Sequence, residues 1–552
     1  MADRNATRSP IASAEHLWVL ACAVAASLAA IAWSWQNNAL LNYGDAVAHM
    51  HIARRVFDSH QPRLSQLGSV WLPLPHLLML PFVQVQAWWA NGIAGIVPSA
   101  LAYVASCIGI YRLARRWMPP APAAIALAFF ALNPNLLYVQ TTALTEPLFL
   151  CEMVWIALWL VEWREFLDTD AEKARRLLVW IAVGLIAAVF TRYDGWIMTL
   201  LAWTGIGIEL LLRSRLSQWT YWLLTILIAV APVAWFIYNQ MAFGDWLEFA
   251  RGPYSAKAIE LRTATPGAGP PHPGWHNLWV SFEFFIKAAE MDAAAAAWGN
   301  FLLVVSSVVS LGAWLLRRRH GIGWALQLLW LPAPFYAYSV AYSSVPIFLP
   351  PWWPHSWYNT RYGMELLPAF ALGVGFAAML FITLMREFKP KATKYAVAVL
   401  ALSVAANATQ LIREHPLVYV ESTKNIEAHR PYQLAIPPVL RTHLASQPGA
   451  TVLMETSVDP EIVALTGIPL RQTINEADLA IWHAALHAPA AHAALVLAFD
   501  GDAVDSAVRA HPEGLRAVAH FTAKGQPAGT LYVAGTVTGT PAKSQTTTAP
   551  AR

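Results

Sequence analysis

From residue 17 to residue 412 the chain is a succession of apolar runs separated by short polar connections. The runs fall at 17–35, 96–114, 121–135, 146–162, 177–194, 196–212, 219–238, 297–316, 321–344, 363–385 and 394–411. All but the third hold about 17 residues or more, the length at which an apolar helix spans a bilayer. The third is short, and Asn133-Pro134 predicts a break at its end. The pattern changes beyond residue 412. "ATVLMETS", "AALVLAFDGD" and "GTLYVAG" read as strands and alternate with helical stretches such as "PEIVALTG" and "DLAIWHAALHA". That alternation predicts a small α/β domain over 425–536. The tail 537–552 is polar and rich in Thr and Ala, the composition of a disordered segment. The expected fold is therefore a polytopic α-helical membrane protein of about 11 transmembrane helices with a small C-terminal α/β domain.

Composition agrees: 57% of residues are hydrophobic, only 13% are charged, and there are 27 tryptophans. A soluble domain carries about twice that charged fraction. The formal charge of +4 gives no footprint for nucleic acid. Cys22, Cys107 and Cys151 lie inside apolar runs and read as small buried residues. The first run is too long for a signal-peptide core and lacks a cleavage site, so it reads as a retained helix after a cytoplasmic segment 1–16.

Basic residues orient the bundle. With the N-terminus cytoplasmic, Arg4, Arg8, "RLARRW", "EWREFLDTDAEKARR", "LLRSR", "RRRH" and "REFKPKATK" all face the cytoplasm and hold 18 of the 37 Lys and Arg. This satisfies the positive-inside rule and puts the C-terminal domain outside. A span at 71–89, "WLPLPHLLMLPFVQVQAWW", would invert every later loop. Its prolines and Trp-rich end suit a helix lying in the outer interface.

Polar residues with chemical potential collect at the outer helix ends. Asp45 and His49 in "GDAVAHMH" are one turn apart on a shared face. Glu146 opens the fourth span, Arg192 and Asp194 sit at the next outer turn, and "PWWPHSWYNTRYGMELLP" places His355, Arg361 and Tyr362 at the mouth of the tenth span. Each has an ordinary structural reading. Asp45 can cap its helix, Glu146 can answer the helix dipole, Arg192 and Asp194 can pair locally, and Arg361 can snorkel to lipid phosphates. Their convergence on one level favours a site, because charged groups at membrane depth are costly without a use. Carboxylates serve as general bases and arginines grip phosphate bidentately. Asp45, His49 and Glu146, with His76 or His355 nearby, could also hold a divalent metal, although the chemistry requires no cofactor.

The Gly-Asp after the first span, the Ala-Arg segment, "WLPLPHLL", "TEPLF" and "RYGMELLP" together resemble the membrane-embedded GT-C glycosyltransferases, in particular bacterial relatives of protein O-mannosyltransferases and lipid A aminoarabinose transferases. The resemblance covers about residues 15–412. It implies transfer of a sugar from a polyprenyl-phosphate donor to a lipid, glycan or protein acceptor at the outer face of the cytoplasmic membrane. By resemblance Asp45 takes the place of the first-loop catalytic acid and Glu146 that of the second. Arg361, with Tyr362 beside it, takes that of a basic residue near the donor phosphate. In the mechanism expected here Arg192 or Arg54 would help Arg361 neutralise the leaving lipid phosphate. His49, His76, Asp194 and His355 would line the substrate cavity. The mannosyltransferases carry an Asp-Glu pair where this chain has Asp45-Ala46, which leaves the sugar open. A transporter and a non-catalytic scaffold for the C-terminal domain are the competing function classes.

Overall fold

The computed structural model describes residues 13–263, 270–316, 327–447, 449–457, 459–535 and 545–546. The chain opens with α1 (Ser13–Gln36) and descends into a connection carrying α2 (Gly44–Arg55), α3 (Leu74–Val83) and α4 (Gln86–Asn91). The helical bundle continues with α5 (Ile93–Arg115), α6 (Pro120–Ala131), α7 (Pro134–Val139), α8 (Glu146–Phe166), α9 (Ala171–Thr191), α10 (Asp194–Leu212) and α11 (Trp219–Phe243). Short helices α12 (Glu248–Arg251) and α13 (Ala256–Thr263) precede α14 (Leu278–Ala293), α15 (Gly299–Leu316), α16 (Pro332–Tyr342), α17 (Leu367–Phe388) and α18 (Thr393–Arg413).

Among the described residues seven helical segments are long and apolar enough to cross a membrane. They are α1, α5, α9, α10, α11, Thr360–Phe388 and the segment Pro390–Ser446, which contains α18. The other four expected spans differ for local reasons. α6 ends at Ala131, and Asn133 then caps α7 by accepting the Leu136 N–H, so the predicted break is real. α8 has span length but carries Glu146, Glu152, Glu162, Arg164 and Glu165. α15 has its side chains described only over Gly299–Gly312, and the run 321–344 also falls partly outside the described residues. The segment 71–89 forms the short helices α3 and α4 rather than a span, as its prolines require.

One end of the bundle is rich in arginine. There Arg112 and Arg116 meet Glu162, and Arg164 and Arg213 meet Glu209. The starts of α2, α8, α10 and α17 all lie at the opposite end, and the candidate residues sit there.

A 30-residue helix, α19 (Leu417–Ser446), rises from that end into the C-terminal domain. The domain thus begins with a strut before its first strand. A six-stranded sheet follows, with strands β1 (Val452–Met454), β2 (Thr473–Ile474), β3 (Leu495–Phe499), β4 (Leu515–Phe521), β5 (Gly529–Ala534) and β6 (Gln545–Thr546) in the order β2-β1-β3-β5-β4-β6. β1 is parallel to β2 and β3, whereas β5 is antiparallel to both β3 and β4. Every residue of β3 is buried, because helices cover one face and α19 the other, which explains its unbroken apolar run. Helices α20 (Glu461–Thr466), α21 (Ala480–His487), α22 (Pro489–His492) and α23 (Ala503–Ala510) connect the strands. Apart from β6, the tail expected to be disordered lies outside the described residues, as do residues 1–12 and 264–269 of the loop 263–276.

The domain is docked rather than tethered. Asp58, just past α2, is 1% exposed and accepts from Arg54, the Leu470 N–H and the Arg471 guanidinium. Gln86 donates to Gly467 O at 3.2 Å, and Tyr43 donates to Val418 O at 3.0 Å.

Candidate functional site

The turn Thr360–Leu366, a 3-10 helix running directly into α17, presents Arg361 to the bundle mouth. Two features set its conformation. Glu421 of α19 accepts the backbone N–H groups of Asn359 and Thr360 at 3.1 and 2.8 Å. Gly363 lies so close to α14 that a Cβ would stand 2.4 Å from Ala289 N. Burial pushes the Glu421 carboxyl above its usual range, against the pull of Arg361 and the Thr360 donors.

Arg361 gathers three acids from three distant segments. Its Nη2 meets Asp45 Oδ2 at 2.5 Å, its Nε meets Glu146 Oε1 at 3.0 Å, and its Nη1 meets Glu421 Oε1 at 3.4 Å. The rings of Tyr43 and Tyr362 lie 5.2 Å from the guanidinium carbon, in cation–π range. Arg192 forms the second centre. It reaches Glu146 at 3.3 Å, Asp194 at 3.2 Å and Glu365 at 3.1 Å, and donates to Tyr336 OH at 2.6 Å. Tyr362 stands 5.2 Å from Arg192 as well and stacks on Tyr336, so one aromatic wall separates and orients both guanidiniums. Glu146 is the shared bridge.

Exposure differs sharply within this cluster. The Asp45 side chain is 44% exposed, against 7% for Arg361 and 2% for Glu146. Buried atoms Glu146 Oε2 and Glu365 Oε2 have no hydrogen-bond partner among the described residues. Buried carboxylate oxygens are normally satisfied, and an exception points to a missing donor. The arrangement can therefore bind an anion on two fixed guanidiniums while offering acceptor oxygens to hydroxyl groups.

Neither a protein-family profile nor a curated protein sequence matches the chain. A solved structure does. ArnT from Cupriavidus metallidurans, bound to undecaprenyl phosphate, matches with a TM-score of 0.54 at 13% sequence identity, covering 94% of this chain and 98% of that one. The fold is that of ArnT. The match covers nearly the whole chain, so the fold shared with ArnT extends beyond the bundle to the C-terminal domain.

Within this ArnT-like fold Asp45, Glu146, Arg192, Asp194, Arg361 and Tyr362 come together as expected. Arg54 does not join them. Its guanidinium is used up by Asp58 at 2.7 Å, Val83 O at 2.5 Å and Gln86 Oε1 at 2.6 Å, and it lies over Trp89. It braces α2 against α3 and α4. His355 lies on an exposed loop with Nδ1 against Pro350 O, also apart from the cluster. His49 and His76 form a buried pair, Nδ1 to Nε2 at 2.8 Å, with His49 packed on Trp71. Burial, reinforced by Arg361 and Arg192, pushes His49 down to about 3, so the ring is neutral at physiological pH. The metal set Asp45, His49 and Glu146 is not assembled: both acids are held by Arg361 and His49 by His76. Among the described residues no three His, Cys, Asp or Glu side chains are placed to share an ion.

Glu365, Tyr336 and Glu421 were missed. Glu365 stands one turn past Arg361 in "RYGMELLP", where its position inside the same motif was a usable signal. Tyr336 and Glu421 carry none, because one sits in an apolar run and the other follows the last span.

Proposed function

We propose that the chain is a glycosyltransferase that moves a sugar from a polyprenyl-phosphate donor to an acceptor at the outer face of the cytoplasmic membrane. The observation that carries the reading is Arg361, a buried guanidinium whose one exposed partner is Asp45. An incoming phosphate oxygen competes with Asp45 for Nη2, while Glu146 and Glu421 hold the other two nitrogens in place. Arg192 extends the positive surface along Glu146. Glu146 Oε2, left without a partner among the described residues, is the acceptor offered to a sugar hydroxyl.

In this mechanism Asp45, released from Arg361 by the phosphate, faces the open side and takes the proton of the acceptor hydroxyl or amine. The acceptor attacks the anomeric carbon with inversion, and polyprenyl phosphate leaves with its charge balanced by Arg361 and Arg192. The ArnT fold and its bound undecaprenyl phosphate support the donor class. The basic end of the bundle supports a cytoplasmic location for that end and an outer location for the site.

The test is transfer from a panel of radiolabelled undecaprenyl-phosphate sugars in membranes carrying wild type or Asp45→Asn. The wild type is expected to move label to an acceptor, and Asp45→Asn to lose roughly 100-fold or more of the rate. Undiminished transfer by Asp45→Asn would remove Asp45 as the base.

A further inference from the structure

Arg192 keeps no N–H of its guanidinium free. An arginine side chain has five such donors, and this one meets five acceptors. Nε donates to Asp194 Oδ2 at 3.2 Å, and Nη1 to Thr145 Oγ1 at 2.9 Å and Glu146 Oε1 at 3.3 Å. Nη2 donates to Tyr336 OH at 2.6 Å and Glu365 Oε1 at 3.1 Å. Arg361 differs, because its exposed partner Asp45 can be displaced. A phosphate therefore meets Arg192 as a fixed charge rather than through a free N–H, and such a charge helps only while it stays in place.

Tyr336 closes this cage from α16. Its hydroxyl oxygen stands 2.7 Å from Glu365 Oε1 and 3.3 Å from Asp194 Oδ2, so its one proton goes to Glu365 while the oxygen accepts from Arg192. A buried tyrosine needs one partner for its hydroxyl; this one joins three charged groups, from the turn between α9 and α10 and from the turn Thr360–Leu366. The ring is 2% exposed and stacks on Phe285 and Tyr362, each with its centroid 4.9 Å away, so the hydroxyl cannot swing aside. Without the hydroxyl, Glu365 would lose its neutral donor and draw Arg192 closer. Glu146, at 3.3 Å, is the longest of the three acid contacts of Arg192 and would be the first to part. That contact is also the link to Arg361.

We infer that Tyr336 is a positioning residue for the leaving phosphate, its hydroxyl holding Arg192 against Glu146, where the charge of the departing polyprenyl phosphate develops. The inference rests on the glycosyl-transfer reading. In that reaction the acceptor oxygen or nitrogen bonds to the anomeric carbon and its proton goes to Asp45. The anomeric C–O bond to phosphate breaks with its electron pair staying on the phosphate, which gains one negative charge as it leaves. Tyr336 touches no reacting atom and gives up no proton; it acts through Arg192.

The experiment uses the full chain in lipid nanodiscs, as wild type, Tyr336→Phe, Arg192→Lys and the double variant. Tyr336→Phe keeps the stacked ring and removes only the hydroxyl. Undecaprenyl phosphate, which carries the fully developed leaving charge, is titrated against each, and transfer from the donor panel is measured alongside. Tyr336→Phe should bind undecaprenyl phosphate about tenfold or more weakly, and lower kcat by a similar factor with donor KM unchanged. In the Arg192→Lys background the same substitution should change binding less than about twofold, because the hydroxyl has no guanidinium fork left to hold. A smaller loss in Tyr336→Phe, or a loss beyond that limit in the Arg192→Lys background, overturns the inference and leaves the donor reading standing. If Arg192→Lys does not fold, the rates of Tyr336→Phe decide: a donor KM that rises in step with the fall in kcat marks a loosened bundle and overturns the inference. Wild-type protein that does not bind undecaprenyl phosphate overturns the donor reading and this inference with it.

Discussion

At the scale of a residue, Arg361 does what no other cationic side chain can do in its place. Three of its nitrogens point to three carboxylates, from α2, α8 and α19. A lysine ammonium is a point charge on a flexible stem and cannot span that fork. Arg361→Lys should therefore fold but bind undecaprenyl phosphate at least about tenfold more weakly, equivalent to roughly 1.4 kcal/mol. A fluorescence titration using the native tryptophans would measure it; unchanged affinity would mean the phosphate binds elsewhere. Arg361→Ala is a harsher change, because it leaves Glu421 buried without its counter-charge and Glu146 with Arg192 alone. Removing one partner of a buried pair costs about 3–5 kcal/mol, so this variant should be recovered in much lower yield.

At the scale of an element, the turn Thr360–Leu366 matters more than the long helices around it, because it fixes where Arg361 points. Its close approach to α14 depends on Gly363. A Cβ there would meet Ala289 N at 2.4 Å and Ala288 C at 2.5 Å, both backbone atoms that cannot rotate away. Gly363→Ala should cost at least about 2 kcal/mol and lower the thermal midpoint by several degrees. Gly312→Ala in α15 meets nothing within 4 Å and should be neutral or stabilising by up to about 1 kcal/mol. A thermal-shift comparison of the two variants in one detergent checks the contrast. Equal midpoints would show that the turn and α14 are not held as described.

Elements of this kind mark the limit of what the sequence reveals. Long apolar runs announce α1, α5, α9, α10, α11 and α17 because lipid demands uniform apolar length. The prolines of 71–89 and Asn133-Pro134 announce the short helices because they deny a backbone donor. Asp45, Glu146 and Arg361 were legible as charges at helix ends, but not their contacts: Arg361 and Asp45 are 316 positions apart. Arg54 was misplaced for the same reason. A charge beside the site in sequence was satisfied by Asp58 and the carbonyl of Val83, which only the packing of α2 on α3 brings within reach.

At the scale of the whole molecule, the C-terminal domain holds α20 against α19 with groups that titrate, so the packing of α20 should respond to pH. Hydrogen bonding to Asp459 raises His429 above its usual value, and burial raises Glu461 to about 7. Both groups hold a proton more tightly in the folded protein than in the unfolded chain. Their contribution is therefore fully present below the unfolded values of 4.5 for Glu461 and 6.5 for His429, and it fades as pH rises through the folded ones. For Glu461 the interval from 4.5 to about 7 corresponds to an upper bound of roughly 3 kcal/mol. Asp58, tied to Leu470 and Arg471, should keep the far edge of the interface closed. Hydrogen exchange corrected for intrinsic rate should then show residues 459–467 less protected at pH 8.5 than at pH 6, while residues 470–474 change little. Glu461→Gln should remove most of that difference, because an amide has no proton to lose. Protection that is flat or rises with pH across 459–467 would mean that Glu461 is not held among Asp459, His429 and Asp45. In that case no proton would be held on Glu461, and α20 would be kept in place by the buried Ile462, Val463 and Ala464 alone.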